Sequence, residues 1–185
     1  MTAEGLIGIP YDRNGGPLHP EMVLNSEIAR ERANCQRAVQ LFYAEVGGFV
    51  LPPDDALSAE SFDDTRAMVF RDTAEALLPS EQMQQLAFGD LVHAERKSQA
   101  AANENPWSIQ RKQKLHLAVY VGLPGEFQEH FPGHNVYANR AYFFHGTNGG
   151  SRLISEEEFL RRYRMIQARR VLSLKDQYQT LYQSA

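Results

Sequence analysis

The segment LHLAVYVG, residues 115–122, constrains the fold of this chain more than any other stretch. Every second residue along it has an aliphatic side chain, which is the period of a β-strand with one buried face. The aliphatic face of this predicted strand carries Leu115, Leu117, Val119 and Val121. Because side chains alternate between the two faces of a strand, we expect His116 on the opposite face. The chain therefore needs a sheet with a core on the aliphatic side of this strand.

A helix is predicted from Cys35 to about Val46, well before that strand. Its apolar residues recur every three or four positions, which places them on one side of a helix. Asn34 is a good N-cap, so Cys35 falls in the first turn. Gly47 and Gly48 supply a C-cap, and the prolines that follow at positions 52 and 53 prevent continuation.

The remaining segments predict helices early in the chain and strands later. Helical patterns occur at residues 22–32, at 58–78 as one or two helices, and at 80–86. Strand patterns occur at 88–92, 141–146 and 167–174, with Asn148-Gly149 suited to a tight hairpin turn. Ser155 and Glu158 form a capping box for a late helix that runs to about residue 163. This order predicts an α+β fold with a mainly antiparallel sheet.

Two connections are unusually long, at residues 93–114 and 123–139. Loops of this length inside a compact domain are commonly functional. We expect them to form walls or lids of a cleft, and to be insertions, like the helical segment at 58–86, in a simpler core.

The length of 185 residues suits one domain, and we expect a single domain over 1–185 with a core of about 8–172 and a C-terminal tail at 173–185. The net charge of -4 argues against nucleic acid or an anionic membrane as a partner. The N-terminal segment lacks the basic and apolar regions of a signal peptide. We therefore expect a soluble protein that is cytoplasmic or exported without a cleaved signal.

Cys35 is the only cysteine, so an internal disulfide is excluded. A helix N-terminus favours the thiolate through its unpaired amides and dipole, and the thiolate is the reactive form. A lone helical cysteine is nevertheless often a buried apolar residue. The local pattern leaves both interpretations open until a partner base is found.

The chain has six histidines, and two of them lie within predicted strands that are otherwise apolar and aromatic, His116 and His145. They are either hydrogen-bonded structural residues or a general base and the group that orients it. His130 and His134 have the spacing of a metal-binding helix pair, but Pro132 and Gly133 interrupt any helix between them. We therefore predict no metal site and no cofactor.

Several short segments, taken in order, form a recognisable set: GIPY (8–11), NCQRAVQLFYAEVGG (34–48), LP (51–52), GDLV (89–92), HLAVYVG (116–122), YFFHG (142–146) and ARRV (168–171). The set extends over most of the chain, from about residue 8 to residue 171. It resembles the NlpC-type papain-like cysteine peptidases that cleave bacterial cell-wall peptides.

The resemblance implies a papain-like NlpC-type fold in which the helix of the nucleophile packs on the sheet. It implies that Cys35 is the nucleophile, His116 the general base and His145 the orienting third residue. Tyr11 matches a family tyrosine near the cysteine, with an expected role in substrate binding or oxyanion support. The family commonly has Ser-Gly after the cysteine, so Gln36 and Arg37 predict a changed wall beside the nucleophile.

The function that this resemblance implies is hydrolysis of amide or peptide bonds in peptidoglycan stem peptides through an acyl-enzyme. An inhibitor or immunity protein is a further expected partner if the protein is a secreted effector. Two alternatives stay open: an acyltransferase, thioesterase or deamidase that acts on a non-wall substrate, and a non-catalytic interaction module.

Overall fold

The computed structural model describes residues 4–23, 26–48, 50–51, 66–71, 78–97, 115–134 and 136–171. Its helices are α1 (Pro20–Val23), α2 (Ser26–Glu31), α3 (Cys35–Phe42), α4 (Pro79–Gln85), α5 (Pro124–Phe127) and α6 (Glu156–Arg162). A 3-10 turn lies at Glu4–Leu6, and α3 continues into a π-helical turn at Tyr43–Gly47. The strands are β1 (Arg66–Arg71), β2 (Leu91–Arg96), β3 (Leu115–Gly122), β4 (Tyr142–Thr147), β5 (Gly150–Ser155) and β6 (Tyr163–Val171).

The six strands form one sheet in the order β1-β6-β2-β3-β4-β5. Every neighbouring pair is antiparallel, so the predicted α+β layout with an antiparallel sheet is confirmed. The last strand does not extend the sheet at the β5 edge. After α6 the chain returns to the opposite side and inserts β6 between β1 and β2.

The helix α3 forms where its cap and its apolar stripe predict it. The side-chain oxygen of Asn34 accepts hydrogen bonds from the amides of Gln36 and Arg37, at 2.9 and 3.1 Å. The far end closes at Gly48, which takes the left-handed conformation with φ of 72°. The stripe packs on one face of the sheet in a core that includes Val39, Leu41, Phe42, Leu117, Val119 and Phe144.

The opposite face of the sheet is covered as well. Its core includes Ala118, Tyr120, Phe143, Phe159, Tyr163 and Met165, and α4 contributes Met83. The alternation predicted for β3 is therefore confirmed, because Leu117 and Val119 lie on the α3 side while Ala118 and Tyr120 lie on the other. Burial of a sheet on both faces requires aromatic and aliphatic residues in both alternating positions, as β4 shows with Phe143 and Phe144.

Several of the predicted element boundaries are wrong. The helix expected at 22–32 is two helices, α1 and α2, and the connection expected at 123–139 contains α5. Residues 66–71, expected to be helical, form β1, which pairs with β6. His93, expected at the start of a long loop, lies inside β2, and the last strand begins at Tyr163 instead of residue 167. Backbone pairing with strands distant in the sequence decides these segments, and it overrides local propensity. The rest of the predicted helices at 58–78, most of the connection at 93–114 and the tail lie outside the described residues.

Candidate active site

Cys35 is the first residue of α3, as the cap at Asn34 predicts. Its side chain is only partly exposed, and burial raises the pKa of the thiol. The backbone amides of Leu117, Cys35 and Gln36 act in the opposite direction, because they stabilise the thiolate. The sulfur thus faces main-chain donors from the start of its own helix and from β3. At neutral pH the thiol keeps its proton in the resting protein.

The two strand histidines are in direct contact. The Nε2 of His116 lies 2.9 Å from the Nδ1 of His145, which is hydrogen-bond distance between two ring nitrogens. The rings meet edge to face, with centroids 5.1 Å apart and planes at 86°. The pairing of Ala118 with His145 in the β3–β4 register brings the rings together across the two strands. His145 is fully buried.

The start of α3 meets the sheet beside this histidine pair. Leu117, whose amide faces the thiol, directly follows His116. Gly146 directly follows His145, and a Cβ atom placed on it would lie 3.1 Å both from the Cβ of Ala38 and from the backbone oxygen of Asn34. Because Gly146 has no side chain, the first turn of α3 can approach β4 closely. The residues that directly follow the two histidines, Leu117 and Gly146, are therefore the points at which the first turn of α3 meets the sheet.

Burial lowers the pKa of both histidines. The pKa of His116 falls from 6.5 to about 4, mainly through burial and secondarily through the positive charge of Arg96. The pKa of His145 falls as well, first through burial and then through the charges of His116, Arg152 and Arg162. Both imidazoles are consequently neutral at pH 7. A neutral His116 can accept a proton.

Tyr163 belongs to the same group of side chains, although sequence reasoning did not single it out. Its ring stacks on His116 with centroids 4.5 Å apart and planes at 11°. It also meets His145 edge to face, at 6.1 Å and 88°. The sequence placed Tyr163 at the end of a helix, and only the insertion of β6 beside β2 brings it here. No local signal in the sequence could identify it, because the predicted last strand starts four residues later, at residue 167.

Tyr11 lies near Cys35, because the N-terminal segment runs beside Ala33, two residues before the cysteine. The backbone amide of Ala33 donates to the oxygen of Pro10 at 2.9 Å, and Tyr11 and Ala33 form an isolated parallel bridge. The pKa of Tyr11 is raised, first by burial and next by the negative charge that Cys35 carries when it is a thiolate. The phenol is therefore within electrostatic reach of the sulfur. Its expected role in substrate binding stays a prediction.

Gln36 and Arg37 hold the loops beside Cys35. The Oε1 of Gln36 accepts from the side-chain amide of Asn34 at 3.3 Å. The Nε of Arg37 donates to the backbone oxygen of Gly16 at 2.8 Å, and its Nη1 donates to that of Arg32. The guanidinium thus attaches the N-terminal segment to α3. These contacts shape the wall beside Cys35, and direct contact of either residue with substrate stays a prediction.

Three of the other histidines, His93, His130 and His134, make local contacts. His93 is buried with its Nδ1 3.2 Å from the side-chain amide of Gln167. His130 stacks on Phe88, and His134 meets Phe131 edge to face. Within the described residues no group of three or more His, Cys, Asp or Glu side chains is placed to hold a metal ion.

None of the helices in the described ranges has both the length and the apolar composition needed to cross a membrane. In comparisons with known proteins, no protein-family model matches the chain and no curated sequence matches it.

Proposed function

We propose that this protein is a cysteine hydrolase that cleaves amide or peptide bonds, with Cys35 as nucleophile, His116 as general base and His145 as its orienting partner. The observation that carries the proposal is the 2.9 Å contact between the two histidine rings, located next to the amide of Leu117 that faces the thiol. A papain-like NlpC-type fold agrees with a capped helix that carries the nucleophile and packs on an antiparallel sheet.

The proposed reaction starts from a neutral thiol and a neutral imidazole. The Nε2 of His116 is engaged with His145, so Nδ1 is the nitrogen available to take the thiol proton. As that proton moves to His116, the sulfur attacks the carbonyl carbon and a C–S bond forms. The Nδ1 of His145 then accepts the hydrogen bond from the His116 imidazolium. This contact holds the ring in one tautomer and stabilises the positive charge.

Collapse of the tetrahedral intermediate breaks the C–N bond, and His116 delivers its proton to the leaving amine. Water then enters, gives a proton to His116 and attacks the thioester carbon as hydroxide. The C–S bond breaks, the acid is released, and His116 returns its proton to the sulfur, which restores the thiol. The amide of Cys35 is the expected donor to the oxyanion, with the phenol of Tyr11 as a second donor. General acid-base help of this kind contributes about 10²- to 10⁴-fold, and an oxyanion donor contributes about 10²- to 10³-fold.

The proposed substrate is a peptidoglycan stem peptide, on the strength of the ordered resemblance to NlpC-type peptidases. A second candidate is acyl transfer or deamidation on a non-wall substrate. The specific observation in its favour is the wall formed by Gln36 and Arg37, because both side chains are committed to contacts with Asn34, Gly16 and Arg32.

The test compares wild-type protein with Cys35→Ala on purified muropeptides, with mass spectrometry of the products. Wild type should release a new amine and a new carboxylate from one amide bond, and Cys35→Ala should be at least about 10³-fold slower. An added primary amine distinguishes transfer from hydrolysis, because a transferase forms an amide product from it. Equal rates of muropeptide cleavage by wild type and Cys35→Ala would refute the proposal.

The interaction-module alternative is tested by the reactivity of the thiol. Cys35 should react with iodoacetamide faster in the folded wild type than in His116→Ala, because the base assists loss of the thiol proton. Equal rates in the two proteins, together with no cleavage of any muropeptide, would favour a non-catalytic role.

A further inference from the structure

A surface turn just before β4 carries an exposed tyrosine that is held in place. The turn consists of residues 137–140, and the backbone amide of Arg140 closes it by donating to the oxygen of Tyr137 at 3.1 Å. Tyr137 is 68% exposed, yet its own amide donates to the hydroxyl of the buried Tyr142 at 2.9 Å. The turn is thereby attached to the first residue of β4, and the exposed ring projects from a fixed piece of backbone.

The guanidinium of Arg140 lies over this exposed ring. Its Cζ is 5.1 Å from the centroid of Tyr137, within the range of a cation–π contact. Its Nη1 also donates to the Oε2 of Glu157 on α6 at 2.8 Å. Glu157 is near because the adjacent Glu156 donates its backbone amide to the oxygen of Ala141, the residue after Arg140, at 2.8 Å. We call the side chains of Tyr137, Arg140 and Glu157 the tyrosine platform.

The stability of the fold does not account for the tyrosine platform. A single exposed apolar residue is ordinary on a protein surface, and an exposed ion pair contributes little because two long side chains lose freedom in making it. Here the side chains of Arg140 and Glu157 are 47% and 76% exposed, and they are nevertheless ordered against the tyrosine. Tyrosine and arginine dominate the energetics of binding surfaces, and groups that are ordered in advance bind at a lower entropic cost. The arrangement therefore indicates a binding surface.

The charges and hydrogen-bonding groups of the tyrosine platform define the chemistry of its ligand. Glu157 neutralises Arg140, so the platform has no net charge. Among the described residues, their mutual contact is the one hydrogen bond that either side chain makes, which leaves guanidinium N–H donors and the Oε1 acceptor for a ligand. A matching ligand is neutral, has an apolar face for the ring and carries hydroxyl groups at its rim. A pyranose sugar has these three properties, because its axial C–H bonds form an apolar face and its hydroxyls surround it.

We propose that the tyrosine platform binds a neutral sugar ring of a glycan, stacked on Tyr137 and hydrogen-bonded by Arg140 and Glu157. The platform is separate from the histidine pair. Tyr142, which holds the turn, lies three residues before His145 on β4, so their Cα atoms are about 10 Å apart. Sugar binding thus goes beyond the proposed function. The source of the sugar is the glycan to which the cleaved peptide is attached, and this part of the inference rests on the proposed function.

The test is an NMR titration of the full chain with tetra-N-acetylchitotetraose and with cellotetraose, two neutral oligosaccharides. In wild type, at least one of them should cause saturable shifts of the backbone amides of Tyr137 and Arg140. Tyr137→Ala should raise Kd about fivefold or more, because it removes the stacking ring. Tyr137→Phe keeps the ring and should stay within about twofold of wild type. The same spectra report whether each variant is folded.

The matched control is Leu78→Ala, which removes another exposed apolar side chain, 63% exposed, before α4. Its Kd should equal that of wild type. Because the ligand is neutral, Kd should also be the same at about 50 mM and about 500 mM NaCl. The proposal would be overturned by the absence of saturable shifts with both oligosaccharides, by equal weakening in Leu78→Ala and Tyr137→Ala, or by a Kd that rises steeply with salt.

A kinetic comparison identifies the source of the sugar. It uses a muropeptide that carries its disaccharide and the same stem peptide without sugar. Wild type should have a higher kcat/KM for the muropeptide, and Tyr137→Ala should lose this preference. An equal preference in both proteins would contradict attachment of the bound glycan to the substrate. Sugar binding without cleavage of any peptide would retain the platform and remove the hydrolase function, whereas cleavage without sugar binding would do the reverse.

Discussion

The imidazole of His116 lies nearly parallel to the phenol ring of Tyr163, with the ring centroids 4.5 Å apart. The two residues sit on strands that are not neighbours, because β2 lies between β6 and β3. The residue of β2 opposite His116 is Ala94, whose small side chain leaves room for the two rings to meet above it. The stack limits rotation of the imidazole, while the contact with His145 sets its tautomer.

Tyr163 is expected to position His116, the proposed general base, through this stack. Replacement by Leu should lower kcat on the order of tenfold, since an aromatic pair contributes about 0.5–1.5 kcal/mol beyond its burial. Tyr163→Phe keeps the ring and should retain nearly full activity. Steady-state kinetics should place the loss in kcat, with KM little changed. Equal losses in Tyr163→Phe and Tyr163→Leu would assign the effect to the hydroxyl and not to the stack.

The acid limb of the pH–rate profile should lie far below the ordinary pKa of histidine. In the proposed mechanism His116 acts as a base only when neutral, and its pKa is lowered to about 4. We therefore expect kcat/KM to be constant from neutral pH down to about pH 5 and to fall as the pH approaches 4. His116→Ala is the control, because its residual activity should lack this limb. A limb centred near 6.5 would contradict the burial of the imidazole.

Stability should fall as the pH is lowered, for the same reason. The unfolded chain takes up a proton on His116 below pH 6.5, whereas the folded protein does so only below about 4. The stabilisation from the neutral His116 is therefore complete when the pH is above the pKa of His116 in the unfolded chain. It is lost progressively as the pH falls toward the pKa of His116 in the folded protein. The contribution of His116 is on the order of 3 kcal/mol.

Urea unfolding of wild type and His116→Gln between about pH 8 and about pH 4 measures this contribution. The difference in the free energy of unfolding between the two pH values should be smaller in His116→Gln. The same pH dependence in both proteins would show that His116 ionises alike in the folded and unfolded states.

Gly146 should be intolerant of a side chain. A Cβ atom there would lie 3.1 Å from the Cβ of Ala38 and from the backbone oxygen of Asn34, so the start of α3 would have to move away from β4. Gly146→Ala should cost about 1–3 kcal/mol in stability and slow alkylation of Cys35. Gly125→Ala is the matched control, because a Cβ atom at Gly125 meets nothing within 4 Å. Comparable losses in both variants would contradict the close approach.

The cap at Asn34 should matter for stability and for the thiol. Asn34→Ala removes the acceptor of the amides of Gln36 and Arg37, which should cost about 1 kcal/mol. Fraying of this turn would displace the amides that stabilise the Cys35 thiolate, so iodoacetamide should react more slowly. Asn34→Ser supplies another capping oxygen and should retain most of both properties. An alkylation rate in Asn34→Ala equal to that of wild type would show that the cap does not support the thiol.

Much of the site was predictable because its components are local. The cap and the apolar stripe place Cys35 at the start of a helix, and alternation places His116 on the face of β3 away from that helix. A hairpin turn at Asn148-Gly149 predicts the antiparallel neighbour of β4. Each of these features depends on residues a few positions apart, which a period or a turn signal can detect.

The order of strands in the sheet was decided by tertiary structure alone. The insertion of β6 between β1 and β2 turned a segment expected to be helical, residues 66–71, into a strand. The same insertion placed Tyr163 against His116 and opposite Arg96. Such pairings join segments far apart in the chain, and no periodicity in either segment specifies its partner. The sequence thus determined which residues could carry chemistry, while strand order determined which side chains surround them.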